Sequence, residues 1–128
     1  MIDHLGFPVS DYAASKAFYE RALAPLGYRL VTEVGINEMG APACGFGVGG
    51  NPDFWIGGEG GNGKNPLHVA IVARDRAAVD AFHRAALAAG GKDNGPPGLR
   101  PQYGENYYAA FVLDPDGNNI EAVCQRPA

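Results

Sequence analysis

Three side chains carry most of the chemistry this sequence can offer: His4, His68 and Glu121. Imidazole and carboxylate together suit Zn, Fe(II), Mn or Ni, and three protein ligands leave coordination positions open for water or substrate. Taken singly, each has an ordinary account: a surface histidine near the terminus, a hydrogen-bonded core histidine, a solvated charge. Spacing is what makes them a set. His4 and His68 lie 64 residues apart, and their surroundings repeat without a gap: Asp11/Asp75, Ala13/Ala77, Ala14/Ala78, Ala17/Ala81, Phe18/Phe82, Ala22/Ala86, Leu23/Leu87, Ala24/Ala88 and Gly27/Gly91 are identical. With the histidines, ten of the 24 positions from 4 to 27 match, which marks a duplicated supersecondary unit. Two copies facing each other would bring both histidines to one pseudo-symmetric centre.

The elements that must position these residues follow from pattern. Ile2–Val9 alternates as a strand, with Leu5, Phe7 and Val9 on one face and Ile2, His4, Gly6 and Pro8 on the other. Ser10 or Asp11 offers an N-cap, Ala13–Ala24 has helical spacing, and Pro25 with Gly27 ends it. Short strands are expected over Tyr28–Val34, Ala43–Val48 and Asp53–Ile56. The second unit repeats this: strand Leu67–Ala73, helix Arg76–Ala89 capped by Asp75, and strands Tyr107–Leu113 and Asn119–Gln125 joined by the turn Asp114-Pro-Asp-Gly117. Lys92–Asn106, rich in Gly and Pro, is expected to hold one short strand and an irregular excursion. The chain thus reads as one α+β domain: module 1 over 1–57, a Gly-rich linker over 58–65, and module 2 over 66–128. In each opening strand the histidine shares its face with small residues, which leaves a hollow opposite the helices. By the same parity Glu121 and Val123 point into that hollow, while Ile120, Ala122 and Cys124 face the helices.

Other residues suit the rim of such a cleft. The excursion Gly95–Tyr103 can fold over the opening, bringing Arg100 to an anionic substrate and Gln102 or Tyr103 as hydrogen-bond donors; a plain surface loop is an equal reading. Trp55, Tyr107 and Phe111 are apolar walls for a ring-bearing ligand, or packing. Candidates for a catalytic base are Asp53 and Tyr103, besides a hydroxide on the metal. His83 aligns with Tyr19 and reads as a structural helix residue. No Ser/His/Asp set, P-loop or dinucleotide fingerprint is visible.

Composition narrows the partners. Net charge is −4 with no Lys/Arg cluster, which argues against nucleic acid. Neither a signal peptide nor a membrane-spanning run is visible, so a cytoplasmic location is expected. Cys44 and Cys124 form no C-x-x-C pair and are expected to stay reduced and buried.

The pattern resembles the vicinal oxygen chelate superfamily, which includes glyoxalase I, extradiol dioxygenases and the bleomycin-resistance proteins. The segments that carry the likeness are Asp3–Asp11, Ala17–Glu20, Leu67–Ala73 and Leu113–Val123, and they span both units. The last is the most specific, because in this family an Asp-Pro-Asp-Gly hairpin leads into the strand bearing the final carboxylate ligand. The resemblance implies two βαβββ modules forming one curved mixed sheet around a metal cleft, with helices on the outer face. It implies metal roles for His4, His68 and Glu121. It also implies a homodimer, although all three ligands can come from one chain. Repeat symmetry sets Trp55 opposite Glu121, where glyoxalase I usually has a glutamate that is both ligand and base, so glyoxalase I activity proper is not expected. The expected function is a metal-dependent lyase, isomerase or dioxygenase acting on a small molecule that chelates the ion through adjacent oxygens. The alternative is a protein that sequesters a planar ligand without turnover.

Overall fold

The structure is a computed structural model that describes residues 1–36, 40–58 and 65–128. Residues 59–64, most of the expected linker, lie outside the described residues. The element order is β1 (Leu5–Pro8), α1 (Tyr12–Ala22), a 3-10 turn (Ala24–Leu26), β2 (Arg29–Val34), β3 (Ala43–Val48), β4 (Asn51–Gly57), β5 (His68–Val72), α2 (Arg76–Ala88), β6 (Lys92–Leu99), β7 (Tyr108–Leu113) and β8 (Asn119–Cys124).

Both modules are therefore βαβββ, and each folds into a four-stranded mixed sheet: β1-β4-β3-β2 and β5-β8-β7-β6. The opening strand runs parallel to the last strand of its own module, and the remaining pairs are antiparallel. Both helices start as their sequences direct. Asp11 accepts from the Ala14 amide at 3.1 Å and Asp75 from the Ala78 amide at 2.8 Å, each satisfying one orphan donor of the first turn. The first helix stops at Ala22, because Pro25 forces the chain into the 3-10 turn and Gly27 then takes a left-handed φ of 87°.

The alternation in β1 and β5 places residues as their pattern requires. Phe7, Val9, Ile71 and Ala73 are buried toward the helices, while Gly6, Pro8, Ala70 and Val72 are exposed on the open face. One hydrophobic cluster runs through both modules, from Phe7, Phe18, Tyr19 and Phe54 to Val79, Phe82, Val112 and Ile120. The modules meet through α2 against α1 and the 3-10 turn. Two polar joints reinforce this contact. The Tyr19 hydroxyl donates to the buried Asp114 carboxylate, and Ser10 donates through its amide and hydroxyl to Asp116. The β7–β8 turn of module 2 is thereby tied to the start of α1 in module 1.

One stretch departs from expectation. Lys92–Leu99 is an eight-residue strand despite Gly95-Pro-Pro-Gly98 within it. It survives because β6 is an edge strand, where a missing amide donor costs no ladder bond. Its pairing with β7 slips between Asp93 and Gly95 and again between Gly95 and Gly98, so both prolines fall in the irregular part. Cys44 and Cys124 are free and buried, and among the described residues no helix is long and apolar enough to cross a membrane.

Candidate metal and ligand site

The open face of module 2 carries a tight polar group. His68 begins β5 and pairs in register with Asn119 of β8, so its ring reaches the Asn119 carbonyl, with Nδ1 at 3.1 Å. A carbonyl only accepts, so Nδ1 donates in this bond and Nε2 is left facing away from it. That Nε2 lies 3.1 Å from Glu121 Oε1. Two acceptors face each other there unless a proton or a cation stands between them. Glu121 is only 2% exposed, and its other oxygen accepts the Tyr107 hydroxyl. Burial, then the bond to Glu121, pushes the Tyr107 phenol up to about 12, so it remains a donor at neutral pH.

Aromatic rings frame this group. Phe111, opposite Glu121 across β7–β8, stacks on the His68 ring at 6.3 Å. Arg100 also lies over Phe111, its guanidinium 5.4 Å from the ring centroid. Tyr103 meets Tyr107 edge-on at 5.4 Å. Of the excursion expected over Gly95–Tyr103, the first five residues belong to β6, while Arg100 and Tyr103 beyond it pack on Phe111 and Tyr107; Arg100 is already committed. Its guanidinium donates to the Gly98 and Pro96 carbonyls at 2.8 and 2.7 Å, which satisfies its own turn. Gln102 lies exposed at the turn.

Module 1 presents a second half. His4, Gly6, Pro8, Trp55, Gly57 and Ala43 line a groove of about 1000 Å³. Gly6 pairs with Trp55 in β1–β4 as Ala70 pairs with Glu121 in β5–β8, so the tryptophan occupies the carboxylate's repeat-equivalent position. Its indole lies across Gly45: a Cβ built there would be 2.9 Å from Trp55 Cε2. Asp53 does not share this groove. The β3–β4 register jumps from Phe46–Phe54 to Gly47–Pro52, making Asp53 the extra residue of a bulge. It accepts from the Tyr28 hydroxyl at 3.3 Å and lines a separate cavity at the module junction.

One chain therefore unites two of the three expected ligands. His4 has its Nδ1 2.7 Å from Asp3, and no residue lining its groove belongs to module 2. The other cavity it lines reaches β5 at Val69–Val72, not at His68. Among the described residues no three His, Cys, Asp or Glu side chains gather to hold a metal ion. The strand parity that the sequence sets is present, and the modules meet through α2 against α1 and the 3-10 turn. Sequence reasoning missed Asn119, which acts through a backbone carbonyl and leaves no side-chain signal. His83 is structural, its Nε2 2.9 Å from Asp93 Oδ1.

The donor pair fits a divalent cation. With metal–ligand lengths of about 2.1 Å, two ligands lie about 3.0 Å apart at a right angle and about 3.4 Å apart at the tetrahedral angle. The 3.1 Å separation of Nε2 and Oε1 falls in that range, and the anchored Nδ1 is the usual outer support of a metal-binding histidine.

Comparison with known proteins now bears on this geometry. A model of the Glyoxalase/Bleomycin resistance protein/Dioxygenase superfamily matches residues 1–122. The chain belongs to that superfamily. A glyoxalase/bleomycin resistance protein from Albidiferax ferrireducens is 30% identical, with 98% of each chain covered and a TM-score of 0.73. Glyoxalase I from Zea mays shares the fold at 21% identity and a TM-score of 0.70; the match covers 99% of this chain but 45% of the maize chain, so this protein spans about half its length. A Listeria monocytogenes fosfomycin resistance protein, in complex with Mn(II) and a dihydroxypropylphosphonic acid, is 19% identical at a TM-score of 0.66, with 96% of this chain and 88% of that chain covered. No protein of curated function matches the sequence.

Proposed function

We propose that this protein is a metal-dependent enzyme acting on a small oxygenated molecule that offers two adjacent oxygens to a divalent cation. The observation that carries this reading is the His68–Glu121 pair, with Nδ1 anchored and Nε2 turned to a buried carboxylate oxygen at 3.1 Å. A cation bound there would supply Lewis-acid stabilisation of an oxyanion on the substrate. His68 and Glu121 hold the site, and Phe111, stacked on the His68 ring, gives it an apolar wall. Asp53, bonded to Tyr28 and set in a bulge, is not placed to act as base. Tyr103, exposed beside Tyr107, remains the base candidate of this chain.

The ligand set is completed if a second copy lays its module 1 face, carrying His4, over this group. A homodimer with one site at each such junction follows. Mixing tests it: His4→Ala and His68→Ala protein should each bind little metal alone, whereas the mixed dimer regains one intact site in two. Mixtures that stay empty would sink the shared site, and elemental analysis showing full metal in His68→Ala would sink the metal role itself.

A second reading, ligand sequestration without turnover, is favoured by Trp55 over the large groove of module 1. Tight binding of planar ligands by metal-stripped protein would support it.

A further inference from the structure

Glu121 is held at both oxygens, and from different residues. Oε1 faces His68 Nε2 at 3.1 Å, and Oε2 accepts the Tyr107 hydroxyl. A carboxylate on a two-fold terminal torsion has no intrinsic preference for which oxygen it presents. A phenol that occupies one oxygen removes that freedom, provided the phenol is itself fixed. Tyr107 is fixed: its amide donates to the Gly104 carbonyl at 3.3 Å, and its carbonyl accepts from the Arg100 amide at 2.7 Å. Its ring packs edge-on against Tyr103.

We propose that Tyr107 is the positioning residue of this site, reserving Oε2 so that Glu121 presents Oε1 alone beside His68 Nε2. The inference rests on the metal reading above and adds how the carboxylate is oriented within it. Tyr107 does not touch the ion; it acts through Glu121. Losing such an outer partner typically weakens metal affinity about 10–100-fold.

Calorimetric titration of wild-type and Tyr107→Phe protein with Zn(II) and with Mn(II) tests it, after circular dichroism shows that both are folded. We expect about 10–100-fold weaker binding in the variant; equal affinity overturns the proposal. A second readout needs no metal: the ¹⁵N resonances of the His68 ring should move in Tyr107→Phe, because the released carboxylate swings away from Nε2. Unmoved resonances overturn the proposal. If wild-type protein binds neither ion, the metal reading fails, and the His68 resonances then decide the positioning role alone. If Tyr107→Phe does not fold, wild-type spectra decide it: a slowly exchanging Tyr107 hydroxyl proton supports the proposal and a freely exchanging one overturns it.

Discussion

At the scale of single residues, the site depends on acceptors that are oriented before any ligand arrives. His68 is aimed by a backbone carbonyl, so substitutions that keep the ring's place but not its donor should separate orientation from fold. His68→Ala is expected to lose bound metal while changing stability little, since the side chain is half exposed; elemental analysis and a thermal melt check both halves. Trp55 offers a complementary handle, because it is the chain's one tryptophan. Gly45→Ala places a methyl 2.8 Å from Pro52 Cβ and against the indole. That overpacking should cost about 1–3 kcal/mol, and tryptophan fluorescence should shift as the ring is lifted from the sheet. Tyr28 gives a pH prediction. Burial, then the charge of Asp53 and the bond to it, raises its phenol to about 12. The unfolded phenol ionises near 10, so the folded state prefers the proton more strongly than the unfolded state does. This contribution to stability is complete below pH about 10 and is lost as pH rises toward 12. Near-ultraviolet titration should show a late tyrosine phase whose amplitude falls in Tyr28→Phe, the remainder coming from tyrosines such as Tyr107 that are also pushed up.

At the scale of elements, the duplicated sequence yields duplicated local structure, because caps and alternation act over a few residues. Asp11 and Asp75 make the same bond to the amide three residues on. Replacing either by Ala should cost about 0.5–2 kcal/mol, read as a lower midpoint in urea with unchanged slope. Where the two units differ, the difference is written in residues that break a ladder. The bulge at Asp53 and the proline-bearing edge strand β6 both follow from local register slips. The first was not legible, since Asn51–Gly57 shows no break in alternation that marks Asp53 as the extra residue. The second was masked by Gly95-Pro-Pro-Gly98, which reads as a loop unless the strand's place at the sheet edge is known.

At the scale of the whole molecule, one hydrophobic cluster crosses both modules, and Phe18 of module 1 lies where a Cβ at Gly91 of module 2 would sit, 2.8 Å away. A single cooperative unfolding transition is therefore expected, and residues 1–57 expressed alone should not fold, by circular dichroism. Phe82→Ala, which empties a fully buried ring position, should cost about 3–5 kcal/mol and lower both modules together. The sequence alone determined the repeat, the βαβββ order, the face each strand turns to the helices, and which side chains lie on the open face. These depend on period, parity and caps, which are properties of neighbours along the chain. Only the tertiary structure decided that Tyr107 holds Glu121, that Arg100 is spent on its own turn, and that the groove lined by His4 and Trp55 takes in no residue of module 2. Those depend on how two sheets and a turn settle against one another, a long-range packing outcome that strand parity constrains in direction but not in distance.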